Sequence, residues 1–321
     1  MCPNEPTSAP FDWSPAADYH WGEPLTSDQQ GSPWCSPALA EGEIHLWCLD
    51  LSQAESELLE PEAATDVSTI PLADLNAEER QRALRFVRRR DGFRFASVRR
   101  ALRRLLARYL NVAPLDVLLE LGPQGKPQLA GRLAQTGLHF NVSHSADQAL
   151  MGFRYHGPLG VDLEQERAEV DFDGVARLMF SPSEVDWLRS GDTVPKCRSF
   201  YQIWSRKEAI LKCVGWGLGG PRPTTSWNVA GRTPAHWPLH QLQSIPGYDA
   251  TRPRLLLVDL PEALAATPAA CGMTSGPQPL NGYAASVAAW WDPAATSICL
   301  RLGYYSDLPS DVSSDFFAPG L

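Results

Sequence analysis

The alternation of apolar and polar positions divides the chain into short strands and amphipathic helices. Ile44 to Leu49 is an apolar run of strand length. Leu138 to Val142 is another, ending at Ser143-His144-Ser145, and Ala149 to Tyr155 is a third. The turn residues His156-Gly157-Pro158 predict a hairpin into Leu159 to Leu163. In Gly160-Val161-Asp162-Leu163-Glu164 the period of two sends Val161 and Leu163 to one face, Asp162 and Glu164 to the other. Leu255 to Asp259, Ala284 to Trp290 and Ser297 to Leu302 predict strands of a second sheet.

Helical spacing appears in three places. Asn76 caps a helix whose first turn carries Glu78 and Glu79. A break near Arg90-Asp91-Gly92 starts a second helix, with Phe95, Val98, Leu102, Leu105, Leu106 and Tyr109 as its buried stripe. Ser181-Pro182-Ser183-Glu184 reads as a capping box opening a short helix to about Arg189. In the third region Phe200, Ile203, Ile210, Leu211 and Val214 share one arc, bordered by the row Trp204, Glu208, Lys212. That helix stops at the glycine-rich Gly215 to Gly220. Glu208 and Lys212, four apart, would suit an ordinary surface ion pair. Lys207 fits no such reading: it falls inside the apolar arc, where an ammonium needs a partner or a ligand.

Residues 1 to 40, with seven prolines and no period, predict an irregular tail or strap; 51 to 75 is acidic and loop-like, and 306 to 321 a loose tail. With 321 residues and 44% hydrophobic content the chain can bury a substantial core. No apolar run approaches the roughly 18 residues that span a bilayer and no leader pattern opens the chain, so a soluble, cytoplasmic protein without a membrane partner is expected. Its seven scattered cysteines form no C-x-x-C pair, which argues against disulfide frameworks and zinc sites.

The net charge of −9 argues against a nucleic-acid partner, yet Arg80 to Arg108 holds twelve arginines against one acid, Asp91. A solvated helical face and an anion site both fit that run; its density favours the anion site. Only four lysines occur, Lys126, Lys196, Lys207 and Lys212. Lys126 lies in the turn-rich loop Leu121 to Leu129. Asp162 and Glu164, two carboxylates on one strand face, repel unless a cation lies between them, and an all-oxygen set suits Mg²⁺ or Mn²⁺; the polar face of an edge strand would show the same pattern.

Gly125-Lys126-Pro127, Phe140-Asn141-Val142-Ser143-His144-Ser145, Gly160-Val161-Asp162-Leu163-Glu164 and Trp204-Ser205-Arg206-Lys207-Glu208-Ala209 occur in that order. Together they closely resemble the motifs of the 4′-phosphopantetheinyl transferases of the large, Sfp-type class. The resemblance covers about residues 80 to 220 in motifs and 41 to 305 in layout. It implies an α+β fold of two similar subdomains, each a small, mainly antiparallel sheet packed with helices. The subdomains would span 41 to 157 and 158 to 305, related by a pseudo-twofold with the active site between them, in a pseudo-dimeric monomer.

The implied reaction moves the 4′-phosphopantetheine arm of coenzyme A to a serine of an apo acyl or peptidyl carrier protein. By resemblance, Asp162, Glu164 and Glu208 hold Mg²⁺ or Mn²⁺, Glu208 is also the general base, and Lys212 meets the phosphate. Ser143 and His144 are assigned to the coenzyme A phosphates, Gly125, Lys126 and Pro127 to the nucleotide end, Arg99 to the 3′-phosphate, and Arg88 and Arg89 to further basic contacts. Lys207 matches a family lysine whose role is open between structure and phosphate binding. Where relatives place a threonine after the second carboxylate, this chain has Gln165 and Glu166.

Two rivals differ in class. A serine hydrolase from Ser143, His144 and Asp162 lacks the G-x-S-x-G elbow, and adjacent strand residues point to opposite faces. A non-catalytic arginine-rich module binding RNA or an acidic protein leaves Asp162, Glu164, Glu208 and Lys212 unexplained.

Overall fold

The computed structural model describes residues 19–21, 38–52, 72–190, 195–215, 227–230, 254–260, 280, 282–291 and 298–305. The expected 306–321 tail, most of the 1–40 and 51–75 segments, and the glycine-rich turn beyond Gly215 lie outside these residues.

Apolar alternation sets the strands. β1 (Tyr19–Trp21), β2 (Glu43–Asp50), β5 (Leu138–Ser145), β6 (Gln148–Tyr155) and β10 (Ile298–Tyr305) form a first sheet in the order β1-β10-β2-β6-β5. Its β1–β10 and β10–β2 pairs are parallel, the others antiparallel. β7 (Leu159–Gln165), β9 (Tyr283–Trp291) and β8 (Arg254–Asp259) form a second, antiparallel sheet with β9 in the middle. β3 (Leu119–Leu121) and β4 (Pro127–Leu129) make a small hairpin.

The helices are α1 (Ala77–Leu84), α2 (Arg89–Leu110), α3 (Phe172–Met179), α4 (Pro182–Ser190) and α5 (Lys196–Val214). One face of each sheet meets the other in a shared core: Ile44, Leu46 and Leu150 from the first, Val161, Leu163, Val258 and Val287 from the second. The outer face of the first sheet packs on α2 through Trp47, Met151, Phe153, Leu102 and Leu106. The outer face of the second packs on α3, α4 and α5 through Leu255, Ala288, Phe200, Ile203 and Ile210. The layers therefore run helix, sheet, sheet, helix, an α+β architecture.

Four expectations change. The residues 156–158 are a crossover between sheets, because β7 pairs with β9 and not with β6. The strand predicted over 297–302 joins the first sheet, beside β2. The helix break falls earlier than Arg90-Asp91-Gly92: α1 ends at Leu84 with Arg85 as its C-cap, Arg88 is extended, and α2 runs through Asp91 and Gly92. Gly92 answers packing, not a break, since a Cβ there would lie 2.4 Å from the Ala83 carbonyl oxygen of α1. Within the irregular 1–40 stretch, Tyr19–Trp21 is a strand. The cap at Asn76 forms as expected and is in addition a full capping box with Glu79, and the expected box at Ser181 forms with Glu184.

Candidate active site

The site lies where β5, the last strand of the first sheet, approaches β7, the first strand of the second. No backbone ladder joins these two strands. The join is made by side chains at alternate positions of β5. Val161 N donates to Asn141 Oδ1 (2.8 Å), Leu163 N to Ser143 Oγ (3.3 Å) and Gln165 N to Ser145 Oγ (3.1 Å). Three N–H groups of a strand edge are thus satisfied without a neighbouring strand.

β7 turns Gly160, Asp162 and Glu164 toward α5, as the period of two requires, while Leu159, Val161 and Leu163 are buried in the shared core. Gly160 admits the helix. A Cβ there would stand 2.0 Å from the Ala209 carbonyl oxygen and 2.4 Å from Cys213 N, so helix and strand meet backbone to backbone. This close approach brings the Glu208 and Lys212 border of α5 alongside Asp162 and Glu164.

There the charges are arranged unequally. Lys212 Nζ donates to Asp162 Oδ1 at 2.6 Å and to Ser143 Oγ at 2.9 Å. Ser143 Oγ donates to Asp162 Oδ1 (3.0 Å) and Ser145 Oγ to Glu164 Oε2 (3.0 Å). The Trp204 side chain lies close enough to Glu164 to pull its basicity down slightly, and its ring stacks on Phe200 with centroids 6.0 Å apart. Three carboxylates face one ammonium. Burial, then the charges of Asp162 and Glu164, push the Glu208 carboxyl up to about 7 against the opposing pull of Lys212. Burial and Asp162 raise Glu164 as well, with Ser145 pulling it down. A carboxyl poised near neutrality is suited to accept a proton.

Asp162 is 2% exposed, and its Oδ2 is buried with no hydrogen-bond partner. An orphaned anionic oxygen beside two further carboxylates matches the donor chemistry of a hard divalent cation. Among the described residues, however, no group of three His, Cys, Asp or Glu side chains stands already arranged to hold a metal ion. Lys212 supplies the positive charge at Asp162.

The other candidate residues divide. His144 is exposed at the end of β5; desolvation by its surroundings, then the charges of Lys212 and Arg94, lower its basicity. Ser143 is buried, and its hydroxyl is filled by Asp162, Lys212 and Leu163 N, so it faces inward. Gly125 turns the β3–β4 hairpin with φ +77°, and Pro127 starts β4. Between them Lys126 points inward, donating to the Leu159 carbonyl (2.9 Å) and to the Lys212 carbonyl (2.7 Å). It ties the hairpin to the start of β7 and to the last turn of α5.

Arg88 is exposed at the N-cap of α2 and Arg89 begins that helix. Arg99 is turned toward Glu79 (3.6 Å) and over the Phe95 ring (5.8 Å). The excess positive charge of the run is partly answered within the chain. Arg103 pairs with Glu79 and Arg104 with Asp74, each at 2.6 Å, and Arg94 pairs with Asp147. Glu166, in the segment where a threonine was expected, pairs with Arg198.

Lys207 acquires a definite role. Its ammonium is 2.8 Å from Glu184 Oε2 and donates to the Trp227 carbonyl at 3.1 Å, over the Phe180 ring. It is a buried pin between α5 and α4, distant in purpose from the Glu208 row. Sequence reasoning missed Ser145 and the Arg94–Asp147 pair. The alternation Asn141, Ser143, Ser145 was visible in the strand and was the signal for the first.

Comparison with known proteins gives a consistent pattern. Residues 64–152 match the family described as 4′-phosphopantetheinyl transferase, N-terminal, and residues 158–251 the 4′-phosphopantetheinyl transferase superfamily. The gap between the two matches falls at the crossover from β6 to β7. The chain is 38% identical over 180 residues to the 4′-phosphopantetheinyl transferase HetI of Nostoc sp., covering 56% of this chain and 72% of that protein. It is 40% identical over 158 residues to slr0495 of Synechocystis sp., covering 49% of this chain and 64% of that protein. The 4′-phosphopantetheinyl transferase gsp of Aneurinibacillus migulanus is 28% identical over 146 residues, with 46% and 58% covered.

Proposed function

The chain belongs to the 4′-phosphopantetheinyl transferase superfamily, and on that premise we propose that it transfers the 4′-phosphopantetheine arm of coenzyme A to a serine hydroxyl of an apo acyl or peptidyl carrier protein. It would do so as a monomer of the large, Sfp-type class, its two similar halves related by a pseudo-twofold. The observation that carries the reading is the cluster at the β5–β7 seam: Glu208, poised near neutrality, beside Asp162, Glu164 and Lys212.

The chemistry follows from those groups. As the carrier serine oxygen attacks the β-phosphorus, Glu208 accepts its proton. The bond from that phosphorus to the bridging oxygen breaks, and 3′,5′-ADP leaves with the electron pair. Lys212, one helical turn from Glu208, is placed to meet the charge that grows on the phosphates. Asp162, Glu164 and Glu208 are the residues that would hold Mg²⁺ or Mn²⁺, which when bound supplies charge neutralisation to the pyrophosphate. His144, at the exposed rim of the same strand, and Arg88 and Arg89, at the start of α2, are offered to the phosphates of coenzyme A. Gly125 and Pro127 are offered to its nucleotide end through the hairpin backbone. Arg99, Lys126 and Ser143 face protein partners and support those elements.

The test is intact-mass analysis of an apo carrier protein incubated with coenzyme A and Mg²⁺. The expected result is the gain of one phosphopantetheine mass, lost in Glu208→Gln by about a hundredfold or more in rate while coenzyme A still binds. Wild-type turnover in Glu208→Gln removes Glu208 from the mechanism, and no gain on any carrier tried removes the transferase reading.

A further inference from the structure

The side-chain ladder of β5 distinguishes its rungs. Asn141 meets β7 beside Gly160, where no acid stands, and an amide oxygen that accepts from Val161 N is sufficient there. Ser143 and Ser145 meet β7 beside Asp162 and Glu164. A hydroxyl both accepts and donates. Each serine accepts the next backbone N–H of β7, Leu163 or Gln165, and gives its proton to the preceding carboxylate. Serine occurs at the two rungs where a carboxylate stands, and at each it ties one named oxygen, Asp162 Oδ1 or Glu164 Oε2. The other Asp162 oxygen is left bare and buried.

We propose that Ser145, together with Ser143, is a positioning residue of the active site: its hydroxyl fixes Glu164 to the β7 backbone so that the carboxylate presents one oxygen toward Asp162 and Glu208. This rests on the metal-dependent reading above. Ligating carboxylates depend on such outer hydrogen bonds for orientation. Ser143 differs from Ser145 in one respect, since its oxygen also accepts from Lys212. It holds the acid and the lysine in a fixed relation, so Ser145 is the cleaner probe.

The experiment is Mn²⁺ titration of the full chain without coenzyme A, following free Mn²⁺ by electron paramagnetic resonance, with a melting curve for each variant in metal-free buffer. Ser145→Ala is expected to weaken Mn²⁺ binding by about tenfold or more, and Ser145→Thr, which keeps the hydroxyl, to return within about threefold of the wild type. In a Glu164→Gln background Ser145→Ala should add no further loss. Asn141→Ala, which removes the rung that faces no acid, should lower the melting temperature and leave Mn²⁺ affinity unchanged. Unchanged affinity in Ser145→Ala overturns the proposal, as does a loss that threonine does not restore or an equal loss in Asn141→Ala. Should the alanine variant not fold, Ser145→Cys, of similar size and a weak donor, carries the same expectation. A wild type that binds no Mn²⁺ overturns the metal reading itself and the positioning role with it. A wild type that binds Mn²⁺ with Ser145→Ala unaffected overturns the positioning role alone.

Discussion

Two lysines of α5, five positions apart, stand in opposite electrostatic situations. Lys207 is 3% exposed and meets Glu184, which is fully buried, at 2.8 Å. Every neighbour there closes the account: Glu184 also accepts from Ser181 N and Val229 N, and Lys207 also donates to Trp227. Lys212 is a quarter exposed and faces Asp162, Glu164 and Glu208 together. One acid balanced by one base, with remaining valences filled, is a structural device. Three acids sharing one base leave a carboxyl that titrates near neutrality and an oxygen without a partner, the condition of a site awaiting a ligand.

The largest expected effect comes from breaking the closed pair. Lys207→Met strands a buried carboxylate and should cost about 3–5 kcal/mol in denaturant unfolding. The double variant Lys207→Met/Glu184→Gln should recover part of that loss, which a contact acting through packing alone would not do.

Next comes the approach of α5 to β7. Gly160→Ala forces the helix off the strand and should cost about 1–3 kcal/mol. Because the displacement carries Glu208 and Lys212 away from Asp162, transfer should fall further than stability does.

Relieving the open cluster should have the opposite sign. Glu208 has a folded pKa raised above its unfolded value, so its charged form opposes folding. That cost is absent below about pH 4.5, where the group is protonated in both states, grows as pH rises, and is complete above about pH 7. In metal-free buffer at pH 8, Glu208→Gln should therefore stabilise the protein, on the order of 1–2 kcal/mol. The gain should vanish as pH falls from 7 toward 4.5; a pH-independent difference would deny the cluster its repulsion. The smallest effect belongs to Lys196 and Asp173, an exposed pair at 2.6 Å: Lys196→Ala should leave the unfolding midpoint unchanged.

The same contrast marks what could be read in the sequence. Strand existence was legible, because apolar runs such as Ile44 to Leu49 and Leu255 to Asp259 have little else to become. Strand partnership was not. His156-Gly157-Pro158 has the residues of a hairpin turn, but β7 leaves the first sheet because β5 side chains replace a backbone neighbour. The need of Lys207 for a partner followed from its place on the apolar arc, whereas the identity of Glu184 depended on how α4 packs. The carboxylate and lysine rows of the site were legible from period and spacing. The inward turn of Lys126 and Ser143 was not, since nothing in a loop or a strand end says which neighbour its polar atoms will meet. Gly92 shows the commonest ambiguity: a glycine written for close packing looks the same as one written for a break.

β10 gives the molecule an order of assembly. It lies between β1 and β2, so until residues 298–305 arrive the edge of β2 offers its unpaired N–H and C=O groups to any passing strand. During synthesis the first sheet cannot close before residues 298–305 have been made. A fragment ending at the β6–β7 crossover would keep that edge open, and should associate with itself more than a chain that includes β10.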